Sequence, residues 1–152
     1  MHLTRRSAVG LLLAAPTASV VAHAAFASEP ETFQVDGIAI HGYDPVAYFT
    51  QGEPVRGSDS HTIDYRGATW KFASAENLAA FKRDPGKFGP RFGGYCAYAA
   101  SQGYLAPTVP EAWTIHEDRL YLNFSLRVRR RWSRDIVNNI AKGEANWPGI
   151  LG

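Results

Sequence analysis

Apolar and polar residues alternate in three stretches of this chain and then recur every four residues near its end. The first stretch, Phe33 to Ile40, alternates weakly around Asp36-Gly37 and predicts a short strand or small hairpin. In the second, His61, Ile63 and Tyr65 alternate before Arg66-Gly67, and Ala68, Trp70 and Phe72 alternate after it. That pattern predicts a hairpin with one aromatic face. A second hairpin is predicted where Trp113 and Ile115, then Leu120, Leu122 and Phe124, flank Glu117-Asp118. Helix starts are signalled by Asp44-Pro45, by Ser74 with Glu76 two residues on, and by Asp84-Pro85, because an acceptor side chain and a proline suit the first turn. Leu78 and Phe81 give the Ser74 helix its apolar side, and Tyr95 to Gln102 predicts a further short helix closed by Gly103. Leu105 to Glu111, with two prolines, reads as loop. Val128, Trp132, Ile136 and Ile140 form the seam of one amphipathic C-terminal helix. The fold class expected is α+β: a small domain of two β-hairpins, short helices and that last helix.

The beginning of the chain changes this picture because it does not belong to the fold. Thr4-Arg5-Arg6-Ser7 is a charged start, Ala8 to Ala15 is a short apolar run, and Ala25-Phe26-Ala27 fits a small-residue cleavage site. Residues 1–27 are expected to be a signal peptide, with its arginine pair similar to a twin-arginine export signal. Ala8 stands where that signal usually has a large apolar residue. Pro16, Thr17 and Ser19 interrupt the apolar run, so no transmembrane segment is expected once the signal is removed. The expected location is periplasmic or secreted. Residues 28–152 then form the mature domain, with Ser28 to Glu31 as a flexible lead. Loss of Arg5 and Arg6 leaves 14 basic against 14 acidic residues. Formal neutrality argues against a general nucleic-acid or anionic-membrane binder. The one cysteine, Cys96, has no intramolecular disulfide partner, so packing alone must hold the fold.

Candidate chemistry gathers around that cysteine. Phe92-Gly93-Gly94-Tyr95-Cys96-Ala97-Tyr98 combines a glycine pair, three aromatic residues and the thiol within seven positions. Adjacent glycines point to a tight turn or a close backbone approach. His41, His61 and His116 are the soft or borderline ligands elsewhere in the mature chain, but none has a close-spaced partner. Arg127, Arg130, Arg131 and Arg134 fall at helical spacing and read as a solvated face.

Tyr65-x-Gly67-x-x-Trp70-x-Phe72-x-Ser74, followed by Phe81 and Asp84-Pro85-x-Lys87-Phe88, resembles the core of a YHS domain. Asp44-Pro45-Val46 resembles its opening. Gly42 to Phe49, Gly93 to Ala97 and Leu120-Tyr121-Leu122-Asn123 resemble the longer, exported bacterial branch. The resemblance covers most of the mature chain and implies a small α+β fold without implying one activity. Metal-handling members carry cysteines at positions that are here Ala47, Ala73 and Asn77, so their ligating role does not transfer. The expected function is therefore that of an exported, non-catalytic binding or accessory domain for a small molecule or a periplasmic protein. Its expected ligand-binding residues are Tyr43, Phe92, Gly93, Gly94, Tyr95, Cys96 and Tyr98. The alternative is a copper or zinc protein using Cys96 with His41, and a thiol-dependent enzyme built on Cys96 is a third reading.

Overall fold

The computed structural model describes residues 15–20 and 27–152. The expected signal peptide and its cleavage site thus lie largely outside the described residues. Asp36-Gly37, Arg66-Gly67 and Glu117-Asp118 each place two successive residues at positive φ. That backbone matches the twist of the flanking strands and closes three two-residue hairpins. They join β1 (Gln34–Val35) to β2 (Ile38–Ala39), β3 (Ser58–Tyr65) to β4 (Ala68–Phe72) and β5 (Trp113–His116) to β6 (Arg119–Leu122). The first two hairpins are not separate: Ile38 pairs with Thr69 in parallel, giving one four-stranded sheet in the order β1-β2-β4-β3. β5 and β6 form a second, two-stranded sheet.

The helices follow from local capping. Ser74 Oγ accepts from Asn77 N–H (3.1 Å) and starts α2 (Ala75–Arg83), whose Phe81 packs on Trp70 and Phe72 of β4. Asp84 Oδ1 accepts from Lys87 N–H (3.1 Å) and starts α3 (Pro85–Phe88). The Asp44-Pro45 signal works one step removed: Asp44 caps a turn, and α1 (Ala47–Thr50) begins after it. Gly103, at φ 87°, ends α4 (Ala97–Gln102) in the left-handed conformation that suits glycine.

Three expectations are corrected. The C-terminal helix is two helices, α5 (Leu126–Ser133) and α6 (Ile136–Asn146), separated at Asp135, which leaves helical geometry at φ −145°. Asn139, buried, donates to the Trp132 carbonyl (2.9 Å) and so satisfies an acceptor freed by the break. Phe124 lies beyond the end of β6 and is half exposed rather than part of the hairpin core. The lead is tied down rather than loose: Glu29 N–H donates to Leu151 O (2.8 Å), Tyr95 OH to Pro30 O (2.8 Å) and Phe33 N–H to Gly93 O (2.9 Å).

The fold is α+β, with two packed cores. The larger gathers Phe72, Trp70, Phe81, Tyr48, Leu120 and Leu122 between the sheets and α2. The smaller packs Trp132 and Phe92 with Ala97, Ala100 and Tyr121 among α4, α5 and α6. No helix among the described residues is long and apolar enough to cross a membrane.

Candidate functional site

The glycine pair makes a close approach of the chain to itself. Residues Arg91–Gly94 form a tight turn in which Phe92, Gly93 and Gly94 have φ of 57°, 61° and 88°. A Cβ at Gly93 would overlap the Glu31 carbonyl, and one at Gly94 would sit 2.6 Å from Ile40 Cγ2. Only glycine lets the lead and the turn lie against each other here. Phe92 is not glycine, so its left-handed backbone is strained and must be held by packing. Its ring is buried against Gly143 of α6, Tyr121 and Trp147.

Cys96 lies just past the turn and caps α4. Its thiol donates to Asn123 Oδ1 (3.4 Å), and its sulfur accepts from Ala99 N–H (3.5 Å) and Phe124 N–H (3.3 Å). Burial raises the Cys96 pKa, and the backbone amides of Ala99, Phe124 and Tyr98 oppose that rise without reversing it. None of these partners is a base that would generate the thiolate. His41 is engaged elsewhere, its Nε2 2.8 Å from Thr108 O. Among the described residues no three His, Cys, Asp or Glu side chains come together to hold a metal ion.

The expected ligand residues are distributed over four surroundings. Phe92 and Gly93 wall a cleft of about 430 Å³, together with Tyr65, Trp70, Pro90 and Trp147. Two ion pairs stand among its lining residues: Arg66 with Glu31 at 2.6 Å and Arg91 with Glu144 at 3.4 Å. Tyr43 and His41 belong to a second depression of about 530 Å³, shared with Arg56, Lys71 and Pro110. There the Arg56 guanidinium lies 5.1 Å from the centre of the Tyr43 ring. Gly94, Tyr95 and Cys96 are buried and line neither opening. Tyr98 lies on α4 with Arg131 over its ring. One wall of the first cleft is thus legible in the sequence, whereas Arg66, Arg91, Glu144 and Trp147 are not, because nothing local joins a hairpin turn to the last helix.

Ala47, Ala73 and Asn77 meet at one buried carboxylate. Asp44 Oδ1 accepts from the backbone amides of Val46 (2.8 Å) and Ala47 (3.2 Å). Its Oδ2 accepts from Ala73 N–H (2.8 Å) and Asn77 Nδ2 (2.7 Å). The group has no solvent exposure, and four donors offset the cost of burying it. The arrangement is a structural tie between α1 and the β4–α2 corner.

α5 carries Arg127, Arg129, Arg130 and Arg131, with Arg134 at its end. Arg129 Nε donates to Thr114 Oγ1 (3.0 Å). Among the described residues no carboxylate pairs with any of the five. No family model, curated protein or solved structure matches this chain.

Proposed function

We propose that this chain is an exported, non-catalytic binding domain of the YHS kind, and that the Phe92–Gly93 cleft holds a small organic ligand. The observation that carries the reading is the cleft itself. Its volume of about 430 Å³ falls within the range of about 300–1,000 Å³ typical of small-molecule sites. Aromatic side chains supply apolar area, while Arg66, Arg91, Glu31 and Glu144 offer polar groups to orient a ligand. The strained backbone of Phe92 sits at its wall, where such strain commonly accompanies function. Two further observations support the reading. The Cys96 sulfur is enclosed, and its contacts are an amide oxygen and two backbone amides rather than a base. The three positions that the YHS resemblance would assign to cysteines converge on Asp44, as equivalent positions of one shared scaffold would, and carry no thiol.

Gly86 provides the test. It lines the cleft, and a Cβ there would meet nothing closer than Asp84 Oδ1 at 3.8 Å. Gly86→Leu should fill space in the cleft while leaving the fold intact. Protein released from its own cells should show a stoichiometric small-molecule adduct by native mass spectrometry. The adduct should be absent from Gly86→Leu of equal melting temperature. A bare wild-type protein, or an adduct retained by the variant, would sink the reading.

A further inference from the structure

The face of α5 is the largest concentration of uncompensated charge among the described residues. Arg127, Arg130, Arg131 and Arg134 are exposed and spaced i, i+3, i+4 and i+7, so they share one side of the helix, opposite the buried Trp132. The ion pairs of the described residues involve other side chains altogether. Like charges at these spacings repel one another, and among the described residues no carboxylate lies within ion-pairing distance of them. Exposed apolar side chains flank the cations along the chain. Leu126 shares a shallow depression with Arg129, Arg130 and Arg134, and Phe124 and Leu126 are 50% and 48% exposed. Val137, at the start of α6, is 67% exposed.

We propose that this face docks on an anionic membrane surface, with the guanidiniums on lipid phosphates and Phe124 and Leu126 at the headgroup boundary. Charge complementarity selects the partner class. All four cations are arginines, whose planar fork matches phosphate oxygens in pairs. The flanking exposed apolar residues select lipid over nucleic acid, since an interfacial helix face combines cations with side chains that enter the acyl boundary. The formal neutrality of residues 28–152 is an average over the domain, and it conceals this one-sided distribution.

The test uses the full purified chain and sedimentation with vesicles of phosphatidylcholine alone or mixed with phosphatidylglycerol. Wild type should partition onto the anionic vesicles, and added salt should weaken that binding. Replacing Arg127, Arg130, Arg131 and Arg134 together by Gln should lower partitioning about a hundredfold or more, each cation near an anionic surface being worth a factor of about five. Phe124→Ser with Leu126→Ser should lower it about tenfold at unchanged charge, from lost apolar burial. All variants keep the same first 27 residues, so differences between them read this face alone. Should the fourfold variant not fold, Arg127→Gln with Arg130→Gln should still show about a 25-fold loss. Equal sedimentation of folded variant and wild type, or equal binding to neutral and anionic vesicles, would overturn the proposal. So would wild type that ignores vesicles and binds duplex DNA or polyglutamate instead.

Discussion

Cys96 shows how a single residue acquires its character from groups far along the chain. Its place after Gly93-Gly94 and at the start of α4 was readable in the sequence, because turn and cap are local signals. Its partners Asn123 and Phe124 lie beyond β6 and were not, since their approach depends on how the second sheet packs. The fold favours the neutral thiol, so this group adds stability that is complete below the unfolded thiol pKa of about 8.5 and is lost as pH rises through the higher folded value. Burial likewise raises Tyr48, Tyr95 and Tyr121, which act in the same direction at higher pH. The melting temperature should therefore be level from neutrality to about pH 8 and decline above it, with Cys96→Ala shallowing the first part of the decline. At neutral pH the native thiol should react with a soluble disulfide reagent at least about a hundredfold more slowly than in denaturant. Cys96→Ala strands two amide donors and should cost about 1–2 kcal/mol, while Cys96→Ser, which still caps, should cost less. Fast native labelling, or a larger loss with Ser than with Ala, would contradict this account.

At the scale of elements, hairpins and capped helices were legible because their determinants lie within a few residues. The C-terminal region misled because the four-residue apolar spacing continues across the break at Asp135, from Trp132 to Ile136 and Ile140. Two polar residues carried the missing information. Asp135 precedes a new helix and accepts from Asn138 Nδ2 (3.0 Å), and Asn139 is buried to serve the carbonyl of the helix before. Trp132 fixes α5 to the second sheet: it is fully buried and its ring centre lies 5.2 Å from that of Tyr121. Trp132→Ala should destabilise by about 3–5 kcal/mol in urea unfolding, as truncation of a large core aromatic does. A loss under about 1 kcal/mol would mean that the helix is peripheral. The same element carries its own penalty: four like-charge pairs on the arginine face, at about 0.2–0.5 kcal/mol each, cost α5 about 1–2 kcal/mol. Removing those charges should therefore leave the fold as stable or more so.

For the whole molecule, long-range ties matter most, and they were the least legible. In the sequence Asp44 is a helix-cap signal, which accounts for one of its oxygens. The other binds Ala73 and Asn77, about thirty residues on. Asp44→Ala would leave four donors without their acceptor and should cost about 3–5 kcal/mol, whereas Asn77→Ala, which removes one donor, should cost about 1–2 kcal/mol. Both are measurable by denaturant titration, and equal costs would refute the shared role. Nothing local in the sequence indicates that Ala73 and Asn77 reach Asp44.

The parallel pairing of Ile38 with Thr69 bears on the order in which the protein folds. β3 and β4 are joined by two residues and form rapidly, but the N-terminal hairpin must close a loop of about thirty residues before it reaches β4. Until then the free edge of β4, bearing Trp70 and Phe72, is an unpaired template for another chain. The N-terminal hairpin emerges from the ribosome before β3 and β4 and docks late, so self-association should be greatest in that interval and should fall as docking is made faster.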